Sequence, residues 1–177
     1  MAQEPQLDLQ TTWPGVDAEG DVAVASDDRA PEHQYCIFRA GKKRYSLSVL
    51  EVEEIVDWPS ITRVPLAPPF LMGIFNLRGV IVPVLDIARP AERGRQPDAP
   101  PKKLVVAAVP GSGDRDDLRV GLVSDEVVGT YVTPEPLLVE EAPRDVPHCC
   151  GLLRHDDHLA LALDLRRLAE AFPISVI

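Results

Sequence analysis

From Tyr35 onward, apolar and polar residues alternate with a period of two. Tyr35, Ile37 and Arg39 interleave with Cys36, Phe38 and Ala40, and Tyr45, Leu47 and Val49 interleave with Ser46 and Ser48. That period belongs to strands. Gly41-Lys42-Lys43 lies between the two runs and predicts a hairpin. Val49, Val52 and Val56 then fall at helical intervals before Pro59, so one or two helical turns are expected over residues 49–56. A stretch containing Pro65, Pro68 and Pro69 leads to a short turn expected at Phe70-Leu71-Met72. The apolar runs 74–77 and 80–85 flank Arg78-Gly79, which predicts a second hairpin with glycine supplying a positive φ. Pro83 cannot donate to a ladder, so its strand is expected at a sheet edge or with a bulge at that point.

Residues 89–103 are proline-rich and charged, a loop by composition. The β-rich runs 104–109 and 118–123, joined by PGSGDRDD, predict a third hairpin, with β pattern continuing through Val127, Val128, Tyr131 and Val132. After a proline-rich loop from Pro134 to Pro147, Leu152-Leu153 and the alternating Leu159, Leu161 and Leu163 flank the polar tip His155-Asp156-Asp157-His158, one more hairpin. Asp164 can cap a closing helix with Leu165, Leu168, Ala169 and Phe172 on one face, stopped by Pro173. About ten short strands, few helices and abundant turn residues predict an all-β chain of small antiparallel barrels, not a doubly wound sheet. No internal repeat is strong enough to claim.

Composition changes the picture at the N-terminus. Of the formal net charge of −10, residues 1–32 carry eight acids against one base, Arg29, leaving a nearly neutral body. An acidic, aromatic-poor segment cannot bury enough surface to offset its chain entropy, so residues 1–33 are expected to be a disordered tail. Its one feature is Trp13-Pro14-Gly15 among Leu7, Leu9 and Val16, a candidate docking motif. A body without a basic stripe is poorly suited to phosphate backbones or anionic membranes, which excludes nucleic acid as an expected partner. The start MAQEPQLDLQ has no basic or apolar signal region, and nowhere do eighteen apolar residues run together, so a cytoplasmic location is expected. The cysteines, Cys36, Cys149 and Cys150, are odd in number with two adjacent, which argues for reduced thiols and against a disulfide framework.

Catalytic signatures are scarce. The sequence has no G-x-x-x-x-G-K-[ST], H-E-x-x-H or G-x-S-x-G. Gly111-Ser112-Gly113 is followed by Asp114, Asp116 and Asp117, which suits a turn better than a phosphate cradle. The acid pairs Glu53-Glu54, Glu140-Glu141 and Asp156-Asp157 read as solvated charge. The one cluster of ligand-type residues is His148-Cys149-Cys150 with His155 and His158, the basis of an alternative reading as a metal- or redox-responsive sensor. Adjacent cysteines on a strand point to opposite faces, so no metal, cofactor or enzymatic role is expected.

Residues 73–87, GIFNLRGVIVPVLDI, resemble the signature hairpin of CheW-type coupling proteins, G-x-x-N-L-R-G-x-x-x-P-x-x-D. Residues 49–55 are similar to the family's V-x-x-V-x-E-I, and Ile61-Thr62-Arg63-Val64-Pro65 carries the expected proline. Residues 120–127 resemble V-G-x-x-V-D-x-V with Ser124 in place of the usual valine, and 151–168 resemble the closing hairpin and helix. The resemblance spans about residues 34–172, leaving 173–177 as a short end. It implies two Src-homology-3-like five-stranded barrels sharing a hydrophobic seam, without catalysis. It also implies an adaptor between the regulatory domain of a CheA-type histidine kinase and the cytoplasmic hairpin tip of chemoreceptors. Carried over by position, Glu54 and Arg78 form an ion pair, Val52 is an apolar contact, Asn76 belongs to the N-L-R-G turn, and Gly73, Gly79, Gly121 and Val127 border the groove between barrels. Independently of the family, a guanidinium beside a hairpin glycine must meet a carboxylate or face a partner.

Overall fold

The computed structural model describes residues 32–89, 101–109, 118–144, 146 and 148–171. The acidic segment with Trp13, most of the 89–103 loop, the PGSGDRDD turn, and Phe172, Pro173 and the chain end lie outside the described residues.

Ten strands and one helix follow in chain order: β1 (His33–Ala40), β2 (Lys43–Ser48), β3 (Val52–Asp57), β4 (Leu71–Leu77), β5 (Val80–Leu85), β6 (Lys103–Val109), β7 (Leu118–Ser124), β8 (Glu126–Thr133), β9 (Cys149–His155), β10 (His158–Leu163) and α1 (Leu165–Ala171). They form two five-stranded sheets, ordered β8-β1-β2-β10-β9 and β3-β6-β7-β5-β4. All the expected hairpins are present. Asp164 caps α1 as expected, its Oδ1 accepting from the backbone N–H of Arg166 at 2.9 Å and of Arg167 at 3.1 Å.

The central strands are buried on both faces, and the alternation of side chains sorts them into three cores. In β6, Val105, Ala107 and Val109 join a core shared by both sheets, while Leu104 and Val106 fill the second sheet's own interior. In β1, Phe38 and Ala40 face the shared core and Ile37 faces the interior of the first sheet. This two-sided burial explains why LVVAAV and its like read as continuous apolar runs. Each sheet also closes on itself. In the first, the ring of Tyr131 on edge strand β8 meets His155 on edge strand β9, with centroids 4.6 Å apart. In the second, the segment leaving β3 crosses to β4, where Thr62 and Ile74 exchange backbone hydrogen bonds of 2.8 and 2.9 Å.

The structure corrects four expectations. Residues 49–56 are not helical beyond a single 3-10 turn at Val49–Glu51; β3 takes the rest, because Val52, Glu54 and Val56 also alternate and bury one face. Leu71 and Met72 belong to β4, and the turn precedes them at residues 69–70. β5 is an interior strand without a bulge at Pro83, which pairs with Ile74; the bulge lies opposite, at Met72 of β4. Pairing of β5 with β7 begins only at Val84, so the missing N–H disrupts little. The fourth correction is that the chain does contain an internal repeat. Hairpin β4–β5 and hairpin β9–β10 share burial patterns residue for residue, and both carry a bulge at the same place. Gly73 corresponds to Gly151, Phe75 to Leu153, Arg78 to Asp156 and Asp86 to Asp164.

The two glycines of the repeat are not equally constrained. A Cβ on Gly73, whose φ is +147°, would sit 2.4 Å from the Thr62 carbonyl oxygen and 2.6 Å from Ile61 Cγ2, whereas one on Gly151 would find its nearest neighbour at 3.3 Å. Gly73→Ala should therefore cost about 3 kcal/mol and Gly151→Ala about 1 kcal/mol. Urea unfolding of the two variants checks the order; equal losses would contradict it.

Candidate docking site at the hairpin tip

The turn Leu77-Arg78-Gly79-Val80 joins β4 to β5 with only two residues between the strands, Arg78 at φ 51° and Gly79 at φ 93°. Positive φ at both central positions is the mirror-image turn that matches the twist of hairpin strands, and it ordinarily selects Asn, Asp or Gly. Arginine at the first position costs of order 1–2 kcal/mol. The Asn76 Oδ1 supports the turn by accepting from the Gly79 N–H at 2.7 Å. The repeat makes the contrast plain: the corresponding turn places Asp156, a residue that tolerates this conformation, at φ 50°.

The strained turn throws the guanidinium outward. Arg78 is 81% exposed, and its Nη2 donates to Glu54 Oε2 at 3.0 Å. Glu54 reaches it from the half-buried face of β3, so the pair ties one edge of the second sheet to the hairpin tip. Val80 and Ile81, the residues that follow the turn, are large apolar side chains left exposed. A fixed cation beside apolar surface is suited to binding.

The other expected residues separate into two groups. Val52 on β3 and Val127 on β8 are half-buried and pack on the shared core from opposite sheets, so they mark the seam between barrels. Gly73 and Gly121 are buried and cannot meet a partner. A Cβ on Gly121 would meet Leu104 and Phe75 at 3.4 Å, so this glycine permits packing inside the second barrel. Residues that sequence reasoning missed flank Glu54: Glu53, the bulge residue of β3, accepts from Arg119 Nε at 2.5 Å across β6, and Asp57 accepts from Lys103 Nζ at 2.7 Å. Their only sequence signal is alternating acid along the segment read as helix.

The ligand-type cluster does not assemble. Among the described residues there is no group of three or more His, Cys, Asp or Glu that could hold a metal. Cys149 is buried with Sγ 3.1 Å from the Gly151 carbonyl, Cys150 is half-buried with Sγ 3.5 Å from the Ala162 carbonyl, and the His155 ring packs on Tyr131. Burial, helped by the charge of Lys43, lowers the His148 pKa from 6.5 to about 4.

The family model described as CheW-like domain matches residues 34–172. The chain belongs to the CheW-like family. It is 27% identical over 139 residues to a probable chemotaxis protein CheW of Rhizobium etli, covering 77% of this chain and 87% of that one. It is 26% identical over 149 residues to a chemotaxis protein CheW of Thermotoga maritima, covering 83% and 94%. A crystal structure of the scaffolding protein TtCheW from Thermoanaerobacter tengcongensis superposes with a TM-score of 0.63 at 25% identity, covering 76% of this CheW-like chain and 90% of the other. The two-barrel fold with its C-terminal helix is thus that of the family.

Two measurements check this description. The exposed Glu54–Arg78 pair should show a coupling of no more than about 1 kcal/mol in a double-mutant cycle of unfolding free energies; several kcal/mol would mean that the pair holds the fold. A histidine whose folded pKa lies below its unfolded value adds nothing to stability above the unfolded pKa. It loses stability as pH falls from about 6.5 toward 4, because only the unfolded chain takes up the proton. Relative to His148→Gln, the native protein should lose about 2–3 kcal/mol over that window in chemical denaturation at stepped pH.

Proposed function

We propose that the chain is a non-enzymatic adaptor of a bacterial chemosensory complex, and that the Arg78 hairpin tip is one of its docking faces. The observation that carries this reading is the arginine itself. A residue poorly suited to its backbone conformation is held there, outward, by Asn76 and Glu54, and strain retained at an exposed position is characteristic of recognition sites. Exposed Val80 and Ile81 supply apolar area beside it, and arginine with apolar neighbours is a frequent centre of binding energy. Family membership supports the same reading.

In this proposal the partners are the regulatory domain of a CheA-type kinase and the cytoplasmic hairpin tip of a chemoreceptor, engaged in the cytoplasm. Val52 and Val127, on either side of the seam, lie where a helical receptor tip could rest between barrels. Among the described residues no helix is long and apolar enough to cross a membrane. Such an adaptor acts by geometry, fixing kinase and receptor so that a small receptor shift biases the kinase between two states. Modest individual contacts suffice, since repetition across an array raises effective concentration.

Arg78→Glu should keep the circular dichroism spectrum and weaken capture of the kinase or receptor fragment by about tenfold or more. A folded variant that binds both fragments with undiminished affinity would overturn the assignment of this face.

A further inference from the structure

The two barrels share a scaffold but close differently. Carried from strand to strand, the repeat aligns Val84, Gly121 and Val106, paired in a row across the second sheet, with Ala162, Ser46 and Ile37 in the first. β6 therefore corresponds to β1, and β3 to β8. Trp58, whose N–H donates to the Lys102 carbonyl at 2.9 Å, falls on Thr133, the partner of His33. Matching bridges, Thr62 to Ile74 and Leu138 to Leu152, align Ile61 with Leu137.

In the second barrel, Trp58, Ile61 and Met72 pack against an apolar interior that includes Leu104, Val123 and Val84. Apart from Thr133, the counterparts of these residues in the first barrel are Tyr35, Ser48, Ala162, Leu137 and Cys150, and all five line an open cavity of about 380 Å³. Small side chains explain the space. Thr133 cannot fill the place of an indole, and Ser48, Ala162 and Cys150 are each smaller than Val123, Val84 and Met72. The volume lies within the range of small-molecule sites, roughly 300–1,000 Å³, and admits one indole.

A second tryptophan is within reach of it. The sequence has two, Trp13 and Trp58. Trp13 precedes His33 by 20 residues, a length of chain that spans at most about 70 Å. His33 opens β1, and Tyr35 of the same strand lies on the cavity wall, so the N-terminal segment joins the fold beside the cavity. Residues 9–16, LQTTWPGV, carry no charge between Asp8 and Asp17, so Trp13 reaches a rim of Glu51, Asp164 and Arg166 without adding a charge to it. That rim suits an indole. Glu51 can accept from the ring N–H, and the Arg166 guanidinium can lie against the ring face.

We propose that Trp13 plugs the mouth of the first barrel of its own chain, in the place that Trp58 holds in the second. Cys150 reports the plug, because its half-buried thiol lines the cavity while Cys36 and Cys149 are buried. Alkylation of Cys150, localised by fragmentation mass spectrometry, is followed in the full native chain and in full-length Trp13→Ala, a change outside the described strands. A short tether gives an effective concentration on the order of 1 mM, so a segment with an intrinsic Kd of about 0.1 mM slows alkylation about tenfold. Cys150 should therefore react about tenfold faster in Trp13→Ala than in the native chain. Added N-acetyltryptophanamide should protect Cys150 saturably in Trp13→Ala and leave the slow native rate unchanged. Equal rates in the two proteins, whether fast or slow, overturn the proposal. Failure of N-acetyltryptophanamide to protect Trp13→Ala overturns it too, because Trp13 would then act away from the cavity. Native protection that grows with protein concentration would assign the plug to another copy and contradict an intramolecular one.

Discussion

Burial on both faces of the central strands is the constraint on which the rest depends. One small sheet encloses little apolar surface and is marginal alone. Two sheets that each curl around a little core and then press their backs together enclose a third, larger one. Phe38, Tyr45 and Leu47 from the first sheet meet Val105, Ala107 and Leu122 from the second there, with Leu165 and Leu168 of the closing helix. The chain order reinforces the arrangement: the second barrel is a continuous segment, β3 to β7, and the first is assembled from both flanks of it. The first barrel can be completed only around the second, which fixes the geometry of the seam.

A fixed seam makes the hairpin tip a rigid presenter. β4 and β5 are anchored by Phe75, Val82 and Val84 inside and by Leu85 in the shared core, so little freedom remains at the turn they carry. Glu54 comes from the opposite edge of the same sheet, and its bond to Arg78 sets the direction of the guanidinium more than it stabilises the fold. The second hairpin of the repeat carries the same turn with a different residue at its first central position. Asp156 occupies the same backbone conformation comfortably, and the flanking strand edge is closed by a ring contact instead of an ion pair.

Much of this was legible in the sequence, for physical reasons. Alternation exposed the strands, the turn residues exposed the hairpins, and Asp164 announced the helix. The segment 49–56 misled because Val49, Val52 and Val56 fit a helical spacing while Val52, Glu54 and Val56 fit a strand, and only pairing with β6 decides between them. The pair Glu54 and Arg78 was implied by family resemblance and is joined in the structure, but the same motif carries Gly73 and Gly121, which are buried and serve packing. The repeat was hidden because it conserves burial and backbone while changing Phe75 to Leu153 and Val82 to Ala160.

The most direct test maps the docking face at residue resolution, using backbone amide shifts of the isotopically labelled full chain as a chemoreceptor tip fragment or a kinase regulatory domain is added. At least one partner should shift the amides of Glu54 and of residues 76–81, while the structurally equivalent turn at 154–159 stays unchanged as an internal control. Shifts centred on residues 154–159, with 76–81 silent toward both partners, would contradict the account.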